Sequence, residues 1–192
     1  MNRYAYIVFV VALATVSCNQ PPPPVERVSV PIDSLYQLDL PSNLQPGYDM
    51  HDYASLQYYD TVMDFYLLGI EDAKQNLGEI KRKRLKLQGY YEFVETAVLE
   101  NAETYYKVAD QEVSLSDKLK VKSGDYYFKN KQGSGKYDLF YRIAVFENDD
   151  YFFQMVFWLP YENHCEQMTW IDTITNSFTF IDDKTGADIG VR

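Results

Sequence analysis

Histidine and cysteine, the side chains best suited to metal binding and nucleophilic catalysis, are rare in this chain of 192 residues, which has two of each. His51 lies in the acidic run Asp49–Asp52, but this run lacks the spacing of a calcium-binding loop. In His164–Glu166 three potential ligands are adjacent on a predicted helix, so their side chains point in different directions. A metal site needs three or four convergent ligands, and we therefore expect none at either place.

The sequence also lacks the short motifs of common catalytic sites. It contains no Gly-x-Ser-x-Gly, His-Glu-x-x-His or Cys-x-x-Cys. The acidic pairs Glu71–Asp72 and Asp149–Asp150 lie at predicted strand ends and turns, where solvation explains them. The turn Gly133–Gly135 lacks the full glycine fingerprint of a phosphate-binding loop, and no predicted helix follows it. We therefore predict no catalytic, cofactor-binding or metal-binding residue, and a protein that is not an enzyme.

Cys18 is the one residue for which the sequence predicts a chemical modification. Arg3 is the only charged residue before it, and an apolar run extends from Tyr4 to Ala14. A basic start, a short apolar core and small residues at the cleavage point are typical of a secretory signal peptide. This run is shorter than the roughly 20 apolar residues that a membrane-spanning helix needs, and no later segment approaches that length.

The residues at the cleavage point resemble a bacterial lipobox, in which small residues precede an invariant cysteine that receives lipid. Val16 and Ser17 fit the pattern, whereas Thr15 stands where leucine is usual. We predict cleavage before Cys18 and lipidation of Cys18, whose acyl chains would anchor the protein to a membrane. An ordinary signal peptide cut nearby and an uncut anchor are the alternatives.

We expect four parts: a signal peptide at 1–17, a lipidated N-terminus with a proline-rich linker at 18–32, one folded domain at 33–180 and a polar tail at 181–192. Residues Pro21–Pro24 favour an extended polyproline II spacer, for which a proline-recognition ligand is the alternative. If Cys18 carries lipid, Cys165 has no cysteine partner within the chain. We expect Cys165 to be a small buried apolar residue rather than a nucleophile.

The charge of the chain restricts its partners. The formal net charge is −10, and loss of Arg3 with the signal peptide would make it −11. An acidic surface argues against nucleic-acid binding and against electrostatic attachment to anionic lipid, while it favours solubility. The basic cluster Lys81–Arg84 departs from this balance, and we interpret it as a solvated helix face.

Hydrophobic spacing predicts the order of the secondary-structure elements. Alternation with a period of two predicts strands at 35–40, 53–59 and 64–71. Helical spacing from Leu77 to Val98 predicts one helix of about 20 residues. Residues 103–136 suggest several short strands. A hairpin follows at 137–147 and 151–159, and its second strand, apolar on both faces, is expected to be central in the sheet. A last helix is predicted from Tyr161 to Phe178.

This order of elements resembles the PsbP, DcrB and Mog superfamily. The segments that carry the resemblance are Leu38–Pro41, Ala54–Tyr58, Phe65–Asp72, Tyr137–Val145, Tyr151–Pro160 and Ile174–Phe178. The resemblance covers about residues 33–180 and implies an α+β fold, with a mainly antiparallel β-sheet packed by helices as an α/β/α sandwich. It implies no shared catalytic residues, because members include photosystem assembly subunits, small-GTPase binders and cell-envelope lipoproteins.

Two functions are compatible with these observations. The first is a cell-envelope lipoprotein, anchored to a membrane (the outer membrane is favoured) with its domain in the periplasm or at the cell surface, that binds a protein or helps to assemble one. Its contact surface would be aromatic, with Tyr58, Tyr59, Tyr126 and Tyr127 as candidates, and core packing explains at least half of these equally well. The second is a small-molecule or glycan binder or hydrolase whose pocket is not visible in the sequence. The tether, the absence of catalytic motifs and the resemblance favour the first.

Overall fold

The computed structural model describes residues 26–81, 85–100, 102, 104–116, 119–129, 138–182 and 187–189. In the first half these residues form strands β1 (Arg27–Ile32), β2 (Tyr36–Pro41), β3 (Gln45–Pro46), β4 (Leu56–Asp60) and β5 (Phe65–Ala73) and helices α1 (Lys74–Lys81) and α2 (Leu87–Leu99). They continue as strands β6 (Tyr105–Ser116), β7 (Leu119–Phe128), β8 (Leu139–Glu147) and β9 (Tyr151–Pro160), helix α3 (His164–Ser177) and strands β10 (Thr179–Asp182) and β11 (Ala187–Ile189).

The strands form two antiparallel sheets. The larger sheet has seven strands in the order β3-β4-β5-β9-β8-β7-β6, and the smaller has four in the order β1-β2-β10-β11. The hairpin of β8 and β9 lies in the middle of the larger sheet, where β9 pairs with β5 on its other side. The predicted central position of the second hairpin strand is therefore confirmed. All strand pairs of the described residues are antiparallel.

Each face of the larger sheet has its own hydrophobic cluster, because side chains alternate between the faces along a strand. On one face, which we call the α2 face, Tyr90 and Val94 of α2 pack with Ile143 and Phe152. On the opposite face, which we call the α3 face, α3 and the smaller sheet pack against the strands. The residues of this second cluster include Tyr36, Leu38, Phe153, Phe157, Ile171 and Ile174. The result is an α+β fold with helices on both sides of a sheet.

The single long helix predicted from Leu77 to Val98 is wrong. Helix α1 ends at Lys81, residues 82–84 lie outside the described part of the chain, and Lys86 has an extended backbone with φ −97° and ψ 169° before α2 begins. Like charges three or four residues apart destabilise a helix, and the run Lys81–Arg84 concentrates such charges at the break. The basic cluster itself cannot be placed on a helix face, since it lies outside the side chains that are described.

The region predicted as several short strands is one long hairpin pair of twelve and ten residues, β6 and β7. Their register shifts between Lys107 and Ala109 and again between Ser114 and Ser116. Each β-bulge places an extra residue in the strand and interrupts the alternation of side chains. A search of the sequence for strict alternation therefore predicts several short strands where the structure has one long strand. The turn Gly133–Gly135 lies outside the described residues.

The folded region extends beyond the predicted domain at both ends. Strand β1 pairs with β2 along its whole length, although it precedes residue 33. Strand β10 reaches Asp182 and pairs with β11, so part of the expected loose tail is a strand. Within the described residues no helix combines the length and the apolar character that a membrane span requires.

Candidate functional site

Among the described residues, strand β6 forms one edge of the larger sheet and pairs only with β7. Nine of its twelve residues are exposed, so the described elements leave most of the strand uncovered. Among them Tyr106, Val108 and Val113 have exposed fractions of 57%, 61% and 47%. A long exposed edge strand can pair with another chain, while its charged side chains and β-bulges restrict which chains can join, so β6 is a candidate site for a selective interaction.

The exposed apolar surface continues from β6 onto the strand beside it. The ring of Tyr106 lies 6.0 Å from that of Tyr127 in β7, and Tyr127 lies 4.5 Å from Tyr161, at the start of a short helical turn before α3. A hydrogen bond to Asp138, together with burial, raises the pKa of Tyr127 to about 12, so this hydroxyl stays neutral at physiological pH. We call the set Tyr106, Val108, Val113, Tyr127 and Tyr161 the β6 patch.

A polar cluster on the α2 face attaches β6 to the rest of the domain. The Lys107 ammonium lies 3.2 Å from Glu95 of α2 and 3.2 Å from Asp110, and the Lys122 ammonium lies 3.3 Å from Asp110. The same two ammonium groups lie over the ring of Tyr91 at 5.2 and 5.3 Å. Together with Tyr126, these residues form what we call the α2–β6 cluster.

Two tyrosine hydroxyls lie beneath these charges. Tyr91 Oη and Tyr126 Oη are 2.6 Å apart, and Tyr126 donates a hydrogen bond to Glu95. Both rings are fully buried. Burial, reinforced for Tyr126 by its hydrogen bond to Glu95, raises the pKa of both hydroxyls above the ordinary tyrosine value. Both tyrosines are therefore neutral at physiological pH and do not act as bases there.

The charged groups of the α2–β6 cluster also hold their protonation states. Partial burial lowers the pKa of Lys107, but hydrogen bonds to Asp110 and Glu95 outweigh it, and the pKa of Lys107 is raised. For Asp110 the directions are opposite. Burial alone would raise the pKa of this carboxyl, but its bonds to Lys107 and Lys122 outweigh burial, and the pKa is lowered. Near neutral pH the cluster is a fixed set of ion pairs. Its evident role is to hold β6 and α2 together.

A buried ion pair joins the sheet to α3 on the opposite face. Asp125 of β7 and Arg142 of β8 are directly opposite each other in the strand register. The guanidinium makes two bonds to the carboxylate, at 2.6 and 2.9 Å, and a third bond to Asp172 of α3. Burial lowers the pKa of Arg142, but the bonds to Asp125 outweigh it and the pKa is raised. Arg142 and Asp125 are only 3% and 6% exposed, so this pair supports the fold.

The two histidines have local structural partners. His51 Nδ1 accepts a hydrogen bond from the backbone of Tyr53, and Gln57 holds the loop by accepting from Met50 and His51 and by donating to His51 and Ala54. The ring of His164 packs against Tyr161 and Phe140, at 4.3 and 5.4 Å. Within the part of the chain that is described, no group of three or more histidine, cysteine, aspartate or glutamate side chains could hold a metal ion.

The sequence-based expectation that Cys165 is a buried, unpaired thiol is wrong. The residue is half-buried and its sulfur is part of a disulfide. The other cysteine of the sequence, Cys18, lies outside the described residues. A sulfur that carries a lipid thioether cannot also be half of a disulfide. Lipidation of Cys18 and an intrachain disulfide of Cys165 are therefore mutually exclusive.

The expected aromatic contact surface is only partly available. Tyr126 is fully buried, and the interpretation of this residue as a contact is wrong. Tyr58, Tyr59 and Tyr127 are half-buried. The more exposed tyrosines of the β6 patch were missed, because exposure on β6 follows from its place at the sheet edge, and neighbouring strands are not visible in a sequence pattern.

Comparison with known proteins shows similarity in fold. No family model and no curated protein matches the sequence. Cyanobacterial PsbP (CyanoP) from Synechocystis sp. PCC 6803 superposes with a TM-score of 0.55 at 11% identity, over 80% of this chain and 91% of that one. The chain has a PsbP-like fold. LpqN of Mycobacterium tuberculosis, described as involved in cell envelope biogenesis, superposes on this chain with a TM-score of 0.50 at 12% identity, over 81% of this chain and 91% of that one.

Proposed function

We propose that this protein is a lipid-anchored lipoprotein of the bacterial cell envelope whose PsbP-like domain has no enzymatic activity and binds another protein through the β6 patch. The observation that carries the proposal is the exposed edge of β6 with the apolar side chains of Tyr106, Val108 and Val113. On the side of β6 away from β7, no described strand pairs with the backbone donors and acceptors. Both features favour association with another polypeptide.

Burial of the β6 patch by a partner would contribute hydrophobic free energy to binding. Full burial of a large apolar side chain contributes about 1.5–3 kcal/mol relative to full exposure. Tyr106 and Val108 are more than half exposed in the isolated chain. A partner that covers the patch would therefore gain somewhat more than half of that contribution for each of these residues, in addition to backbone hydrogen bonds.

The α2–β6 cluster supports a binding role over a catalytic one. Its tyrosines have raised pKa values, and Lys107 and Asp110 are held in their charged forms by each other. A general acid or base works best with a pKa near the working pH, and these shifts move the groups away from it. The cluster instead fixes the position of the exposed strand, which lowers the entropy lost when a partner binds.

The anchor is supported by the N-terminal sequence. Arg3, the apolar run and Val16–Cys18 predict export, cleavage and lipid attachment at Cys18. The fold shared with LpqN, whose description refers to cell envelope biogenesis, is compatible with the same compartment. We place the anchor in the outer membrane, with the domain in the periplasm or at the cell surface and the segment Pro21–Pro24 as its spacer.

Site-specific photo-crosslinking in intact cells tests the proposed contact surface. A photoreactive amino acid replaces Val113 or Tyr106 in the β6 patch, and Tyr53, which is 82% exposed on the loop before β4, in the control. We expect one reproducible light-dependent protein adduct at the two patch positions and none of that mass at Tyr53. Equal yields at all three positions, or no reproducible adduct at the patch, would contradict the proposed surface.

A further inference from the structure

The hydrogen bonds of β6 determine which of its backbone groups face outward. The Lys129 amide donates to the Thr104 carbonyl at 3.1 Å, which makes Tyr105 and Phe128 a non-hydrogen-bonded pair. The backbone groups of Tyr105 therefore point away from β7. Pairs alternate regularly along β7, so the partners of Gly124 and Lys122 are of the same type. These partners are Asp110 and Glu112, whose N–H and C=O groups face solvent.

Between its two register shifts β6 offers an uninterrupted pairing segment. Residues Ala109–Ser114 pair with β7 in continuous register. On the α2 face this segment presents the exposed side chains of Asp110 and Glu112. On the α3 face it presents Ala109, the exposed Gln111 and Val113, and the neighbour of Val113 across the strand, Val121, belongs to the core. A strand added here would find acidic side chains on one face and, on the other, an amide between two apolar side chains.

A second copy of this chain fits the segment poorly. Two-fold antiparallel pairing of the segment with itself can be centred on Asp110, Gln111, Glu112 or Val113. The first three registers place Asp110 against Asp110, Asp110 against Glu112, and Glu112 against Glu112, respectively. The fourth places Glu112 against Ser114 and is opposed only by repulsion between the whole chains. Like charges directly opposite each other on neighbouring strands are destabilising. The net charge of −10 adds repulsion between whole chains.

We infer that the β6 edge accepts an extended segment of a different protein as an added antiparallel strand, with a lysine or arginine opposite Glu112 and an apolar side chain beside Val113. Glu112 is the acidic residue that a partner can pair with, because Asp110 already bonds to Lys107 and Lys122. Strand addition supplies affinity through the main chain and specificity through alternate side chains. This inference rests on the proposed function and names the class of partner that binds there.

Two synthetic peptides test the inference directly. One has four Val-Lys repeats and the other has four Val-Glu repeats, and each is titrated into the isotope-labelled mature chain and followed by amide NMR. We expect the basic peptide to shift the amides of residues 109–114 and to bind about tenfold more tightly than the acidic one, a difference of about 1.4 kcal/mol. In the Glu112→Lys variant the preference should reverse.

A backbone variant separates strand addition from other modes of binding. In Glu112→Pro the ring removes an outward N–H and leaves the bonds to β7 in place, as for proline on natural edge strands. We expect this variant to bind the basic peptide about tenfold more weakly while it unfolds at the same temperature. Glu112→Thr, which keeps the N–H and favours strands, is the matched control for the loss of charge.

Three results would overturn the inference: equal affinity for both peptides, shifts confined to residues outside β6, or no shifts up to about 5 mM peptide, the weak end of measurable affinity. If the peptides fail but Val113 still crosslinks reproducibly to one protein, strand addition is excluded and the proposed function stands. If neither experiment detects binding at β6, both proposals fail.

Discussion

The hydroxyl of Tyr91 occupies the space that a side chain would fill at Gly124. A Cβ placed on Gly124 would overlap Tyr91 Oη and lie 3.0 Å from Tyr126 Oη. The glycine therefore lets a tyrosine of α2 reach over β7 and hydrogen-bond to Tyr126 at 2.6 Å. This contact holds α2 against β7, the strand with which β6 pairs.

Replacement of Gly124 by alanine should destabilise the domain. An added methyl group that the surroundings cannot accommodate typically costs about 1–3 kcal/mol, and urea unfolding of Gly124→Ala should show a loss of this size. Tyr91→Phe, which removes the obstructing oxygen, should recover part of the loss in the double variant. Gly89→Ala is the control, because its Cβ meets only Leu85 at 3.4 Å and helix propensity should stabilise it by about 1 kcal/mol.

The buried pair of Arg142 and Asp125 predicts a larger effect. Arg142→Met leaves the Asp125 carboxylate buried without its partner, and the unfolding free energy should fall by about 3–5 kcal/mol. Arg142→Met with Asp125→Leu removes both charges and should regain most of that loss. Asp172→Asn alters only the exposed third partner, 53% exposed, and should change stability by less than about 1 kcal/mol. A double variant as unstable as Arg142→Met would contradict this account.

Buried tyrosines predict a loss of stability in alkali. Burial raises the pKa of Tyr36, Tyr90 and Tyr126 in the folded state, while the unfolded chain titrates near the ordinary value of about 10. Since the folded pKa is the higher one, the stabilisation is complete below pH about 10 and is lost as the pH rises above it. Tyrosinate absorbance and circular dichroism should therefore change together above that pH, and part of the absorbance should appear only on unfolding.

The alkaline loss of stability can be checked with a tyrosine variant and with the titration of the native chain. Tyr90→Phe should reduce the absorbance change that accompanies unfolding, because its hydroxyl, bonded to Asp72, is one of those that ionise late. Reversible titration of all 18 tyrosines near pH 10 with native circular dichroism retained would show that these side chains are not buried in solution.

The mature N-terminus distinguishes the two chemical states open to Cys18. We expect intact-mass spectrometry of the membrane fraction to show a chain that begins at Cys18 and carries a diacylglyceryl group. Cys18→Ser should abolish the lipid mass and move the chain to the soluble fraction. A non-lipidated chain in which reduction raises the mass by two hydrogen atoms would instead identify an intrachain disulfide of Cys165 and remove the proposed anchor.

Much of the fold follows from local patterns. The strands β2, β5 and β8 and the helix α3 were predictable from apolar residues that repeat at a fixed period, and the central strand β9 was predictable from a continuous apolar run. Strand β6 was not, because two bulges interrupt its alternation and most of its side chains face solvent. The break between α1 and α2 was missed because apolar spacing continues across it while the backbone at Lys86 is extended.

By itself the sequence determined the acidic charge, the class of most elements and the resemblance to the PsbP superfamily, and it is the basis for predicting an export signal that ends before Cys18. Only the tertiary structure decided which strand lies at the open edge, that Tyr126 is buried while Tyr106 is exposed, and that Arg142 faces Asp125. The physical reason is the difference between the two kinds of information. The spacing of apolar residues shows which face of a segment is buried, whereas exposure and strand pairing depend on which distant segments become its neighbours.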